Sequence, residues 1–236
     1  MINRIFLICS ILTGFSISSF SQDYESRKVG YYDEIKVSHG IEVILVSGEP
    51  GVIKVRTHGV DLDDIVTDVE WETLKIRFRN ISIWDEDKYD RRDVTIEVPF
   101  SELNLISAGT GALIKSRSII KGQELRIEAS TGAELYLELD VDMLRAEISM
   151  GATCEASGKA ENLRLKVNMG SVVDLRDLNS EFVTVKAGMG GEAKLTAFRE
   201  IDASASMGGI ITVYGGPDKR YVSDSFGGEI NFRKVN

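Results

Sequence analysis

One short phrase recurs through the second half of the chain and constrains its fold more than any other feature. "EASTGAELYL" at 128–137 is followed by "EISMGATCEA" at 147–156 and by "KVNMGSVVDL" at 166–175. Aligned on the central glycine, copies fall at Gly111, Gly132, Gly151, Gly170, Gly190, Gly208 and Gly227, with spacings of 21, 19, 19, 20, 18 and 19 residues. A period of about twenty residues is the mark of a stacked array. Apolar residues alternate on both sides of each glycine, as in Ile127 and Ala129 before Gly132 and Ala133, Leu135 and Leu137 after it. Period two means strand with one buried face. The glycine therefore sits where two strands meet, and the residue after it is always Ala, Ser or Gly, as a tight corner requires.

Two architectures can carry this pattern: a solenoid in which each unit is one coil, or an antiparallel meander in which each glycine is a hairpin tip. The residue before the glycine is Thr, Met or Phe, a poor choice for a left-handed turn position, and like residues recur in columns. Both points favour the solenoid: about seven coils of 18–21 residues, preceded by an irregular β-rich N-terminal part. By alternation Met150, Met169, Met189 and Met207 are expected to point inward and fill irregular core space. Replacing Gly132 by Val is expected to destabilise through backbone strain and crowding of the corner.

The ends set the compartment. "MINRIFLICSILTGFSISSFSQ" has a cationic start at Arg4, an apolar stretch from Ile5 to about Phe15 and a small-x-small site, so 1–21 reads as a signal peptide cleaved before Gln22. Cleavage removes Cys9 and leaves Cys154 alone, so no intramolecular disulfide forms. It also leaves 27 Lys+Arg (28 less Arg4) against 37 Asp+Glu, a balance of −10, which argues against a nucleic-acid or anionic-membrane surface. No membrane-spanning segment is expected in the mature chain. Residues 22–30 read as a short N-terminal segment and 31–236 as one domain. "VDLDDI" (60–65) reads as a helical turn, and 51–57, 66–80 and 93–99 as strands.

The opening "YDEIKVSHGIEVIL", the ordered series of small-residue corners and the late "IITVYGGP" (210–217) together resemble the head GIN domain family of putative auto-transporter adhesins, a domain of unknown function. The resemblance covers roughly 31–232. It implies a right-handed β-helix-like fold in bacterial envelope or secreted proteins, and supplies no activity or catalytic residues.

The residues announce no reaction and no cofactor. His39 and His58 read as turn residues, and Asp61, Asp63 and Asp64 beside them give no metal-ligand spacing. Cys154 lies in an inward column between Leu135 and Val173, as a structural thiol. Glu134, Glu192 and Glu229 stand two residues after their glycines, and Glu155 and Asp174 four after. They face outward where adjacent coils bring carboxylates together for Ca²⁺, although Lys115, Lys194 and Thr212 interrupt the columns. No carboxylate pair stands out as a hydrolase or lyase centre. The long charged segment 81–93 is the expected recognition element, with Trp84, Asp85, Asp87, Tyr89 and Arg91 as candidate ligand residues. The sequence thus points to a non-catalytic, extracytoplasmic binding or adhesion module with a glycan or protein ligand. The alternatives are a structural component of the envelope that self-associates through the solenoid ends and, behind it, a carbohydrate-active enzyme.

Overall fold

The computed structural model describes residues 23–79 and 93–233. In chain order the strands are β1 (Asp23–Lys28), β2 (Glu34–Val37), β3 (Glu42–Ser47), β4 (Val52–His58), β5 (Ile65–Glu70), β6 (Thr73–Phe78), β7 (Asp93–Phe100), β8 (Leu105–Ala108) and β9 (Leu113–Ser116). They continue as β10 (Ile120–Ala129), β11 (Glu134–Ile148), β12 (Thr153–Val167), β13 (Val172–Ala187), β14 (Glu192–Ser206), β15 (Ile210–Gly215), β16 (Lys219–Ser225) and β17 (Glu229–Phe232). A single 3-10 turn at Leu62–Asp64, capped by the Asp61 side chain, is the only helical element among the described residues.

The long strands stack in parallel, β10 on β11, β11 on β12, β12 on β13 and β13 on β14. Each runs from one corner, bends, and returns to the next, so one strand serves both walls of the solenoid. β14 then carries β15 on one wall and β16 on the other, and β17 closes on β15. The architecture is the expected β-solenoid. Its N-terminal end is threaded out of sequence order. β2 lies between β6 and β8, and β3 between β7 and β9, all in parallel. After β1, the winding therefore enters the second coil with β2 and β3 and then turns outward to build the first with β6 and β7.

Antiparallel strands finish that end: β5 on β6, β4 on β7 and β1 on β4. The stretch 66–80, expected as one strand, is instead a hairpin with Trp71 and Glu72 at its turn, both at positive φ. The Tyr32 hydroxyl is sealed beneath, donating to the Pro99 carbonyl at 2.5 Å. At the opposite end two inward columns stop on charge, while others end on Val222, Ile230 and Phe232. Arg220 and Asp224 occupy the register positions of Ile201 and Ala205, and Arg220 lies 4.3 Å over the Phe232 ring. Inward-pointing charges at an edge oppose the addition of a further strand layer.

The core is made of columns. Leu125, Leu144, Leu163, Val183 and Ile201 pair in register, as do Leu135, Cys154, Val173, Ala193 and Ile211, and all are buried. Each fully buried Val, Leu or Ile contributes roughly 1.5–3 kcal/mol, so a coil is held mainly by the layers above and below it.

The corners differ from expectation. Thr131 and Gly132 have φ of 53° and 70°, and Ala133 N–H bonds back to Ser130 O at 3.2 Å. These are the features of a type I′ turn, which demands positive φ at both central residues. The same pair recurs in the later coils with Met150, Met169, Met189, Met207 and Phe226 in the left-handed position. A two-residue turn interrupts the alternation, so these Met side chains point outward and are 48–59% exposed. Alternation was carried one residue too far in placing them inside, and poor left-handed propensity did not exclude the turn. What holds them there is the preceding coil: Gly132 N–H donates to Met150 O, and Gly151 N–H to Met169 O, each at 3.0 Å. A left-handed residue costs roughly 1–2 kcal/mol and a net hydrogen bond returns about 0.5–1.5 kcal/mol, so the stack offsets most of the strain.

A Cβ added at Gly132 meets no atom within 4 Å, so substitution there is strained but not crowded. Gly158, at φ 105°, is both: its Cβ would lie 2.1 Å from Leu139 O. Chemical denaturation should therefore show Gly158→Ala losing more stability than Gly132→Ala, which is expected to cost about 1–2 kcal/mol; equal losses would contradict this packing. Met150→Asn should leave the thermal midpoint unchanged or raise it, because Asn tolerates the left-handed region and the side chain faces water. A drop of several degrees would return Met150 to the interior.

Candidate functional site

β6 and β7 are the walls of the first coil, and the chain between them runs through residues 79–92. The candidate ligand residues Trp84, Asp85, Asp87, Tyr89 and Arg91 belong to this connection and lie outside the described residues. The seven corner glycines all stand at their turns with φ between 70° and 78°.

The two outer faces of the solenoid carry different charge. On the wall after the corner, outward positions include Glu42, Glu97, Glu134, Glu155, Asp174, Glu192 and Glu229, with Lys115 and Lys194 among them. The expected sharing of carboxylates is limited by register. Thr153 and Val172 separate Glu134 from Glu192, and Ile210 separates Glu192 from Glu229. Glu155 and Asp174 are direct neighbours. Asp174, however, is gripped by Arg176, whose Nη2 and Nε reach its carboxylate at 2.7 and 2.9 Å. The Arg176 hydrogen bonds hold the Asp174 carboxyl below its ordinary range. Among the described residues no group of three or more His, Cys, Asp or Glu is placed to hold a metal ion.

The wall before the corner is different. Arg126, Arg145 and Arg164 pair in register on β10, β11 and β12, about 4.8 Å apart per strand. Two residues along, Glu128 and Glu147 are followed in register by Lys166 and Lys186. Glu128 pairs with Arg126 and Glu124 with Arg145, each at 2.6 Å, while Glu147 reaches Lys166 only at 3.8 Å. Arg164 and Lys186 have no ion-pair partner among the described residues. An open groove of about 720 Å³ runs over this ladder, bounded by Glu124, Arg145, Arg164, Lys166, Thr184 and Lys186 among others. A second depression of about 350 Å³ shares Arg164 and Thr184 with it and adds Phe182 and Tyr221 together with the carboxylates Glu200 and Asp202. Both rings are solvent-exposed, Phe182 by 40% and Tyr221 by 56%.

The basic ladder has a period in the sequence. The arginines stand six residues before their glycines and the lysines four before, the mirror of the acidic positions after the corner. Trp71, 95% exposed at the β5–β6 turn, was passed over. Cys154 is where its column put it, buried between Leu135 and Val173, and burial pushes its thiol up to about 12. A thiol-reactive dye at pH 8 should leave Cys154 unmodified in the native protein and react with it once denaturant is added. Rapid labelling of the folded protein would contradict the burial.

Residues 31–217 match the family described as "Putative auto-transporter adhesin, head GIN domain". A search of curated proteins returned no match. Among solved structures, a putative adhesin from Bacteroides fragilis superposes with a TM-score of 0.76 at 16% identity, covering 91% of this chain and 98% of that one. A putative adhesin from Parabacteroides distasonis gives 0.71 at 16% identity, covering 91% and 98%. A putative lipid binding protein from the same species gives 0.64 at 20% identity, covering 92% and 98%. At these identities the likeness is one of fold.

Proposed function

We propose, from the premise that this chain belongs to the head GIN domain family of putative auto-transporter adhesins, that it is a non-catalytic, extracytoplasmic binding module of the bacterial cell envelope. It acts by holding a ligand against the outer face of the solenoid. The observation that carries this reading is the in-register ladder Arg126–Arg145–Arg164 beside Lys166 and Lys186, in a chain of net charge −9. Like charges directly opposite one another on a sheet are destabilising; Arg126, Arg145 and Lys166 have carboxylate partners, but Arg164 and Lys186 have none among the described residues, which leaves positive charge on this wall for a ligand to meet. The segment 81–93, with Trp84 and Tyr89, remains a second proposed contact for the ligand.

The carboxylate chemistry supports binding over turnover. Glycoside hydrolysis uses one carboxylic acid whose pKa is raised so that it can donate a proton. Asp174, the carboxylate beside Glu155, is instead held low by Arg176. An adhesive role also accords with the names of the structural relatives, and an extracytoplasmic location with the apolar N-terminal stretch of the sequence. No helix of the described residues is long and apolar enough to cross a membrane.

Purified full-length mature protein should bind saturably to isolated cell-envelope or extracellular material and release no product from it. Steady appearance of cleaved glycan or lipid would contradict a non-catalytic role, and failure to bind any such fraction would contradict the binding role.

A further inference from the structure

We infer that the ligand held by the basic wall is an acidic polysaccharide, lying parallel to the stacking axis across the Arg–Lys ladder. The inference rests on the binding-module reading above and names its ligand class. Three features of the wall select that chemistry.

The first is uncommitted positive charge. Arg126 and Arg145 are each met by a carboxylate at 2.6 Å, whereas Arg164 and Lys186 are met by none among the described residues. Arg164 pairs in register with Arg145, and Lys166 with Lys186, so cationic side chains crowd together at the centre of the groove. A guanidinium presents a planar fork that matches a carboxylate or sulfate in bidentate fashion. Anions placed there relieve the repulsion that the fold otherwise bears.

The second is repeat length. Cationic side chains on successive parallel strands recur at about 4.8 Å, close to the length of one sugar in an extended chain. A polymer with one acid group per sugar or per disaccharide can meet several rungs at once. Each rung after the first is then an intramolecular contact at high effective concentration.

The third is the pair of rings at the C-terminal end of the ladder. Phe182 sits two residues before Thr184, the next rung after Arg164, and Tyr221 stands two rungs beyond Thr184 in the same column, with Asp202 on the rung between. Both rings line the depression that Arg164 also lines. An exposed aromatic face is suited to the apolar side of a sugar ring, and it is the part of the wall that a small inorganic anion would not use.

The surroundings oppose a flat anionic membrane. The cationic stripe is narrow, with Glu124, Glu200 and Asp202 on the same wall and an acidic wall behind it. A charged plane would meet all of those carboxylates at once, whereas a single chain centred on Arg145, Arg164, Lys166 and Lys186 meets fewer of them, chiefly Glu147 within the groove and Asp202 on the way to Tyr221.

The test uses the full-length mature protein with polygalacturonate and heparin as acidic probes, dextran as the neutral one, and phosphatidylglycerol vesicles as the anionic surface. The protein should bind the acidic polymers and neither dextran nor the vesicles. Affinity should fall steeply as salt is raised from 0.1 to 1 M, where the screening length shrinks from about 10 to about 3 Å. Arg164→Glu with Lys186→Glu should weaken binding at least about tenfold, as reversal of contacting charges does. Tyr221→Ala should weaken it while leaving the salt dependence intact. Glu155→Gln, on the opposite wall, should change neither. Circular dichroism and thermal midpoints confirm that each variant folds.

Binding to dextran or to vesicles in preference to the acidic polymers would overturn the inference, as would acidic-polymer binding that survives the charge reversal. In either case the protein still binds and the broader reading stands. Binding to none of the probes overturns the inference, and only failure on whole envelope fractions overturns the binding role as well.

Discussion

The structure depends on a backbone hydrogen bond that runs from one corner to the next. Gly40, at the corner between β2 and β3, and the corner glycines from Gly111 to Gly190 each donate their N–H to the carbonyl of the left-handed residue in the following coil, from Gly40 to Thr110 and on to Gly190 and Met207, at 3.0–3.1 Å. This extends the parallel ladder through the turn, where a solenoid would otherwise expose unpaired backbone groups. It also explains why residues as unsuited to positive φ as Thr and Met stand there. Their strain is local, and the bonds that offset it belong to the neighbour. A coil is therefore stable only within the stack, which is the general condition of solenoid proteins.

With the corners fixed, the remaining degrees of freedom are the outward columns. Two walls emerge from the same alternation, one whose charged positions are mostly carboxylates and the other an arginine and lysine ladder interspersed with Glu128 and Glu147. The net negative charge of the chain conceals this separation. Exposed ion pairs contribute little to stability, typically 0–1 kcal/mol. The pairs of Arg126, Arg145 and Lys166 with their carboxylates therefore leave those cations available for exchange with a ligand's anions. Association at such a face is governed by charge complementarity first and by packing on Phe182 and Tyr221 second.

The coil period, the inward columns and the burial of Cys154 could be read from the sequence because each rests on a repeated alternation that many residues vote on together. The outward Met column could not, since a two-residue turn shifts the alternation by a step that no apolar count reveals. The threading of β2 and β3 between later coils was equally hidden, because parallel partners are chosen by three-dimensional closure and not by order along the chain. The hairpin at Trp71 escaped for a related reason: its turn residues, Trp and Glu, lack the Asn-Gly signature that usually marks such turns. On the functional side, attention went to the aromatic segment 81–93 and to the carboxylates after each glycine. The arginines six residues before it carry the same periodicity.

The account turns on which wall meets the ligand, and amide chemical-shift mapping answers that directly. Titrating a uronate oligosaccharide into isotope-labelled protein should shift resonances on the outward positions of β11, β12 and β13 near Arg145, Arg164, Lys166 and Lys186, and near Tyr221 on β16. The amides around Glu155 and Glu192 should stay still. Shifts confined to the acidic wall, to the segment 81–93, or to neither would contradict the assignment of the basic ladder as the binding face.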